Sequence, residues 1–415
     1  MKNLEILAIS TLFPTDTMPS HGVFVKNRLL AMADIGCDIT VVNPIPTSPF
    51  HKIISQYSEQ QKSSLKSEPG KFKEVIHPRY FSLPAFFKDQ EHVFLIKSLK
   101  SLLVEISNRS SFDMVDVHWT YPDLPLGIAI SKMLNIPCRI TLRGMEAFYL
   151  NDNDNRKNLI ADSLSQVDKI ISLSEEMVQT ADSLISKLGK KPPMHSVIRN
   201  GVDTSVFSYI KTRKEARSEL SLDSNIILVG VGSLIKRKGF HHVIGSLGEL
   251  SKMLPEHLSI SYHIIGSSGL EGNYEADLKK LISSLGYNKN KKIKVVLEGK
   301  IENNKLPLWY NAADVFCLSS FGEGSPNVLT EALSCGCPSV ATNVGSVPDI
   351  INSEDDLGII IPNLVNVDNK KASSYWAKAL YDLLLKESYR EERSKKMSKY
   401  TWQWCAKKAI NTRGN

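Results

Sequence analysis

Short apolar runs alternate with amphipathic stretches of helical period along most of the chain. Residues 4–9, 39–42, 114–118, 139–142, 169–173 and 197–199 read as buried strands of one sheet. Residues 226–231, 262–266, 294–297, 314–318 and 339–342 read as strands of a second, and 23–32, 276–285, 306–311 and 375–385 as helices. Such alternation builds parallel βαβ units, whose ligands sit at the carboxyl ends of strands. The pattern dissolves twice. Residues 44–84 hold Pro, Ser and Lys and lead into an aromatic patch of Tyr80, Phe81, Phe86 and Phe87. That segment reads either as a contact for an acceptor or a membrane surface, or as a solvated excursion with its aromatics tucked into the core. Residues 208–223 are polar and basic and read as a linker. A chain of 415 residues is too long for one ordinary core, and the linker divides it into 1–208 and 209–395, followed by 396–415.

Residues 319–348, SSFGEGSPNVLTEALSCGCPSVATNVGSVP, carry the densest chemistry. Phe321-Gly322-Glu323-Gly324 bends on its glycines after a strand. Ser325 is then placed to cap a helix, Pro326 to take its first position, and Gly336 with Pro338 to end it about three turns on. The free N–H groups of a helix start attract a phosphate. Glu323 precedes that start and Glu331 follows it, and eight residues of helix span roughly 12 Å. The order carboxylate, anion site, carboxylate matches sugar, pyrophosphate and ribose. A second phosphate site is expected at Gly232-Ser233-Leu234-Ile235-Lys236-Arg237-Lys238-Gly239, a glycine-containing loop with cations between a strand and a helix.

Glu323 and Glu331 with seven residues between them, followed by Ala-Leu-Ser-Cys-Gly-Cys-Pro and Gly-Ser-Val-Pro-Asp-Ile, resemble the retaining glycosyltransferases of family 4, which have the GT-B fold. The resemblance covers nearly the whole chain and is weakest between residues 44 and 100. It implies an α/β architecture of two Rossmann-like parallel-sheet domains facing each other across a cleft. The first would bind the acceptor and the second the nucleotide-sugar donor, and a last helix, with Trp402 and Trp404, would cross back to the first domain. On this resemblance Glu323 contacts sugar hydroxyls, Glu331 the ribose and Lys238 the pyrophosphate. Gly324, Ser325, Pro326, Asn327, Val328 and Leu329 surround the donor, and Gly299, Lys300 and Ile301 cradle the base. Ser233 stands where relatives usually carry Arg, so a second cation falls to Arg237 or Arg143. Glu323, Lys238 and Arg143 are the candidate catalytic residues.

In the first half, Gly22 ahead of a helix permits close backbone approach to a phosphate or sugar, and in the resemblance it faces the donor pyrophosphate. His21 beside it reads equally as a ligand contact or a surface loop residue. His118, Trp119 and Tyr121 end the strand at 114–118 and are acceptor-side candidates. Arg143 stands where many relatives have a histidine that contacts the donor sugar; it reads as a forked phosphate contact or as the partner of Glu146. Asn200-Gly201-Val202-Asp203 with Phe207 matches the family's turn before the interdomain linker.

Composition narrows the setting. The chain is 42% hydrophobic and 23% charged, with no apolar run of eighteen residues and no signal-peptide pattern, which predicts a soluble cytoplasmic protein. The six cysteines lie among apolar neighbours without metal spacing and read as reduced core thiols. A net charge of +7 favours a phosphorylated substrate or an acidic membrane face, and no nucleic-acid motif accompanies the lysines. No Asp-x-Asp string is placed to hold a metal, so neither metal nor cofactor is expected beyond a nucleoside-diphosphate sugar as co-substrate.

The expected reaction moves a hexose-type sugar to a hydroxyl of a glycan or lipid-linked acceptor in bacterial surface polysaccharide biosynthesis, with peripheral contact at the inner membrane face. The resemblance implies a front-face route without an enzymatic base; Glu323 as nucleophile is the alternative. A sugar-nucleotide epimerase of the same fold and a non-catalytic sugar-nucleotide-binding protein are the rival readings. A dinucleotide oxidoreductase is disfavoured, since no Gly-x-Gly-x-x-Gly follows the first strand.

Overall fold

The computed structural model describes residues 3–48, 60–83, 86–144, 154–268, 272–351, 357–387 and 389–411. The chain divides into two compact units, Met1–Asn200 with Trp402–Asn415, and Gly201–Thr401.

The first unit contains β1 (Leu4–Ile9), β2 (Cys37–Val42), β3 (Ile45–Thr47), β4 (Glu74–Ile76), β5 (Arg79–Phe81), β6 (Met114–Val117), β7 (Cys138–Thr141), β8 (Lys169–Ser172) and β9 (Met194–Val197). Seven of them form a parallel sheet in the order β4-β2-β1-β6-β7-β8-β9, while β3 pairs with β5 alone. Helices α1 (Val23–Asp34), α2 (Glu91–Arg109), α3 (Asp123–Leu134), α4 (Asn155–Leu164) and α5 (Glu175–Lys187) connect them. Alternate residues of β1 serve different cores, as the period of a strand requires. Ile6 and Ala8 pack with Val25, Leu29 and Met32 of α1, whereas Leu7 and Ile9 pack with Leu95, Leu99 and Leu103 of α2.

The second unit holds β10 (Ile226–Val231), β11 (Ile260–Ile265), β12 (Ile293–Gly299), β13 (Val315–Leu318), β14 (Ser339–Thr342) and β15 (Gly358–Ile361), a parallel sheet in the order β12-β11-β10-β13-β14-β15. Its helices are α6 (Arg213–Glu219), α7 (Phe240–Met253), α8 (Tyr274–Ser284), α9 (Leu306–Ala312), α10 (Asn327–Ser334), α11 (Val347–Ile350), α12 (Asn369–Leu384) and α13 (Arg390–Met397). Leu228 and Ile227 of β10 again point into separate layers. The chain then rejoins the first unit as α14 (Trp402–Asn411), whose Trp402, Cys405, Ala406 and Ala409 complete the α1 layer. Trp404 is partly buried there, under the Lys408 ammonium.

Several sequence expectations need correction. The described part of 44–84 is not structureless: β3, β4 and β5 fall within it, each only three residues and too short to show a period. The strand expected at 197–199 lies at Met194–Val197; it is an edge strand with Met194 exposed, so its own residues carry no apolar run. The expected linker contains α6, announced by the capping box of Thr212 and Glu215. β15, at the other sheet's edge, carries the apolar run Ile359-Ile360-Ile361, which the sequence reading above does not include. All six cysteines are buried and none is in a disulfide.

One buried ion pair ties the first unit together. Arg139 of β7 forks onto Asp116 of β6, Nε to Oδ1 at 3.1 Å and Nη2 to Oδ2 at 2.5 Å, and its Nη1 donates to the Ala409 carbonyl of α14 at 2.5 Å. Both side chains are almost fully buried. Asp116→Ala leaves that guanidinium without its counter-charge and should destabilise the first unit by about 3–5 kcal/mol in urea unfolding. A loss below about 1 kcal/mol, the scale of an exposed pair, would show that the fork contributes little.

Candidate active site

In a parallel sheet a ligand crevice opens where neighbouring strands connect in opposite directions. In the second unit that point lies between β10 and β13, because β10 is flanked by β11 on one side and β13 on the other. The two loops leaving it are locked together. Gly239, at φ +64°, lies so close to the β13 loop that a Cβ there would stand 2.0 Å from the Ser319 carbonyl oxygen. The Ser319 hydroxyl donates to the Lys238 carbonyl (2.7 Å), Phe321 N–H to the Arg237 carbonyl (2.8 Å) and Arg237 Nη1 to the Gly322 carbonyl (2.5 Å). The result brings Lys238 Nζ within 2.5 Å of Glu323 Oε1.

Glu323 also accepts from the Ser320 hydroxyl at 2.6 Å, and Arg237 stands 4.0 Å from its second oxygen. Burial alone would raise the Glu323 pKa, but Lys238, Ser320 and Arg237 together outweigh it and hold the carboxylate ionised below its ordinary value. The third loop, after β14, closes over the first two: Thr342 Oγ1 donates to the Ser320 carbonyl at 2.6 Å and Ser346 N–H to the Gly324 carbonyl at 3.0 Å.

Residues after Glu323 depart from expectation in detail. α10 begins at Asn327 with Pro326 as its N-cap, and Pro326 makes no side-chain cap bond; Ser325 lies one residue before it. The helix has eight residues, and only those from Asn327 onward separate Glu331 from the loop, so the helical span assumed from the sequence is too long. Gly324, Ser325, Asn327 and Val328 are partly exposed at this helix start, while Leu329 is buried. Glu331 accepts from the buried Tyr310 hydroxyl of α9 at 3.3 Å, and burial pushes its pKa up to about 7. Ser233 is exposed. Gly299 ends β12, with Lys300 and Ile301 beyond it, and the preceding Glu298 is bonded to the buried His263 of β11 at 2.6 Å.

The corresponding switch point of the first unit lies between β1 and β6. Gly22 fits there for a reason the sequence did not expose: at φ +64° its Cβ position is 2.3 Å from the Leu12 backbone, so the β1 loop folds back on it. His21 Nε2 lies 3.3 Å from the Thr11 carbonyl, and burial lowers its pKa. Arg143 is buried, donating from Nη1 to Asn200 Oδ1 at 2.8 Å and from Nη2 to His118 Nδ1 at 3.0 Å, with the Phe24 ring 5.6 Å away. That bond puts the His118 ring proton on Nε2, 3.6 Å from Asp116. Burial, followed by the nearby Arg28 charge, pulls the Arg143 pKa well below the ordinary guanidinium value. Arg143 Nε, His118 Nε2, Thr120 Oγ1 and Asp123 Oδ1 are buried without hydrogen-bond partners. Trp119 is partly exposed. Tyr121, by contrast, is spent on structure: its hydroxyl donates to the Lys88 carbonyl at 2.5 Å and stands 3.2 Å from His92 Nδ1. Glu146, the alternative partner for Arg143, lies outside the described residues.

Residues 211–404 match the family described as glycosyl transferases group 1. With the named relatives that follow, the match makes the chain a glycosyltransferase. The glycosyltransferase is 24% identical over 360 residues, 85% of either chain, to a protein of Bacillus subtilis (strain 168) named for teichuronic acid biosynthesis, TuaC. It is 26% identical over 328 residues, 72% of this chain and 78% of the other, to an Escherichia coli protein named UDP-Gal:alpha-D-GlcNAc-diphosphoundecaprenol alpha-1,3-galactosyltransferase. Sucrose-phosphate synthase from Thermosynechococcus elongatus superposes with a TM-score of 0.72 at 16% identity, covering 99% of this chain and 98% of that one. Anabaena HepE, solved in complex with UDP, gives 0.67 at 14% identity with 99% of both chains covered. The chain has the GT-B fold.

The structure shows, within each unit, partners of the candidate residues that sequence reading passed over. Ser320 and Tyr310 bond directly to the two carboxylates, and Arg28 of α1, fully buried, donates to the Ile198 carbonyl at 3.0 Å beside the Asn200 that holds Arg143. Of these, only Ser320 lies in a stretch the sequence marks out; Tyr310 and Arg28 sit among apolar helix positions that give no sign of them.

Glu331 makes stability depend on pH. Between its ordinary value of 4.5 and its folded value of about 7, the folded chain keeps a proton that the unfolded chain has released. Stability therefore falls as pH rises through that window. Glu331→Gln should flatten the fall in denaturant titrations; an identical slope in variant and parent would clear Glu331 as its source.

Proposed function

We propose that this enzyme is a retaining glycosyltransferase that moves a hexose-type sugar from a nucleoside-diphosphate sugar to a hydroxyl of a glycan or lipid-linked acceptor, in assembly of a bacterial surface polysaccharide. The observation that carries the reading is the Lys238–Glu323 pair, held by two interlocked loops at the switch point of the second sheet. An ammonium has three N–H donors, and Glu323 occupies one, so Lys238 keeps donors for a pyrophosphate. Glu323 has a second oxygen, 4.0 Å from Arg237, with which to accept from sugar hydroxyls.

The chemistry turns on the leaving group. As the bond from the anomeric carbon to the diphosphate breaks, negative charge gathers on the departing oxygen, and Lys238 with the amides opening α10 stabilises it. The new bond to the acceptor oxygen forms on the same face, and the acceptor proton passes to the departing phosphate, which needs no base from the protein. Arg143, with its buried Nε unpartnered, is the first unit's offering to an anionic group. Glu331 reads the ribose from α10.

The names of relatives support the substrate classes: one is named for teichuronic acid biosynthesis, another for a diphosphoundecaprenol-linked acceptor, and a structural neighbour was solved with UDP. Resemblance to family 4 supports retention. The setting is the cytoplasm, at the inner membrane face; among the described residues no helix is long and apolar enough to cross a membrane.

A thermal-shift series against nucleoside diphosphates tests the reading. One of them at a hundred times its dissociation constant should stabilise the parent by about 2.7 kcal/mol. Lys238→Ala should weaken its binding by about 1.5–3 kcal/mol in calorimetry, the range for a hydrogen bond to a charged group. No response to any nucleoside diphosphate, or equal affinity in the variant, would remove the pair from a donor site. With Lys238 and helix amides carrying the charge, sugar transfer should also persist in EDTA; activity lost to the chelator and restored by magnesium or manganese would overturn the metal-free leaving-group scheme.

A further inference from the structure

The second unit has an open cleft of about 1280 Å³ at the rim of its sheet away from Lys238 and Glu323. It lies where two central strands begin, since Asn225 precedes β10 and Asp314 precedes β13. The six residues of β10, roughly 20 Å of extended chain, separate it from the loops of the candidate active site. Residues of α6 and of the start of α13 line it as well.

The arginines of this cleft are held in place before any ligand arrives. Asp314 accepts from Arg213 Nη1 at 2.5 Å, from Arg217 Nη2 at 2.6 Å and from the Ile227 N–H at 2.7 Å. Arg217 Nε donates to the Ala312 carbonyl at 2.9 Å. Arg390, buried at the start of α13, donates to the carbonyls of Tyr310 and Ala313 at 2.6 and 2.7 Å, while its Nε is buried without a hydrogen-bond partner. Two tyrosines lie along the same cleft: Tyr209, tied by its backbone N–H to Ser394 Oγ at 3.2 Å, and Tyr389, which is 54% exposed.

Charges of both signs stand around the cleft without meeting. Lys214, Lys395, Asp223, Glu391 and Glu392 are exposed there and make no ion pair among the described residues. A second cavity of about 580 Å³ shares Asp223 and Ser224 with the first and adds Lys291, Lys292 and Lys294 at the start of β12, so the two run on along one rim. Carboxylates accept from hydroxyl groups, ammonium groups donate to anionic ones, and an exposed tyrosine offers its ring to an apolar face. A chain of sugars with many hydroxyls and a sparser negative charge suits all three. A nucleic acid carries a full charge on every nucleotide and few hydroxyls, and it would be repelled by Asp223, Glu391 and Glu392.

We propose that this rim is a second glycan site, which binds an acidic oligosaccharide along the amino ends of β13, β10 and β12. For its purpose, keeping a glycan acceptor at high local concentration, it rests on the function proposed above, but its test does not use transfer. In calorimetry the full chain should bind hexagalacturonate about tenfold or more tighter than uncharged maltohexaose or the nucleic acid hexauridylate, since hydrogen bonds to charged groups supply the difference. Tyr389→Ala, and separately Lys214→Glu with Lys395→Glu, should each weaken hexagalacturonate binding by roughly tenfold. Both variants should keep the parent's affinity for nucleoside diphosphate, which also reports that they fold. A parent that leaves hexagalacturonate unbound overturns the proposal, and so do variants that bind it like the parent. Equal or tighter binding of hexauridylate overturns it too, because the rim would then be a polyanion surface and no glycan site; equal binding of maltohexaose removes the acidic group from the ligand. A chain that binds hexagalacturonate through these residues but no nucleoside diphosphate would uphold this rim and sink the donor-site reading instead.

Discussion

The second unit is arranged around a close approach of two backbones. Gly239 and the Ser319 carbonyl stand too near for any side chain to intervene, and from that contact the rest of the site follows. It fixes the end of the β10 loop against the end of β13, so that Lys238 and Glu323, 85 residues apart in sequence, need no search to meet. Ser319, Phe321 and Gly322 each contribute a bond to the same seam. A cation and a carboxylate held this way lose little further freedom when a ligand arrives, which is the condition under which fixed dipoles and charges lower a barrier.

The first unit solves a harder electrostatic problem. Arg28, Arg139 and Arg143 are all buried there, and Asp116 is the carboxylate that compensates them. Burial works against that carboxylate, and the Arg139 charge, followed by lesser contributions from His118 and Arg28, brings its pKa down regardless. Arg28 and Arg143 reach instead for neutral acceptors around residues 198–200, the Ile198 carbonyl and the Asn200 side chain. The segment where the chain leaves this unit is thereby held by two buried guanidinium groups.

Sequence reading recovered the architecture well where strands are central. Leu4–Ile9, Ile226–Val231 and Ser339–Thr342 have the bounds their apolar runs announce, since both faces of those strands are covered. It failed at the edge strand Met194–Val197, which needs only one apolar face, at Gly358–Ile361, whose apolar run it passed over, and in the three-residue strands between 45 and 81. Of the candidate residues, Lys238, Glu323 and Arg143 stand out in the sequence as charges beside glycine turns. Their partners do not. Nothing local marks Tyr310, or shows that Tyr121 would turn inward to bond the Lys88 carbonyl, because those bonds are made between segments far apart in sequence.

The second unit is an insertion: the chain leaves the first at Asn200 and rejoins it at Trp402. That order has a consequence for biosynthesis. When the ribosome has finished the first sheet, the layer built on Ile6, Ala8, Ile39 and Val41 has α1 against it but still lacks Trp402, Cys405, Ala406 and Ala409. At about 5–20 residues per second, the intervening 200 or so residues take roughly 10–40 s to translate. For that interval the half made first waits with an open apolar flank and with Arg139 short of the Ala409 carbonyl, while the half made second folds from one continuous segment. The nascent chain is therefore most exposed to chaperones and to misassembly in its older part.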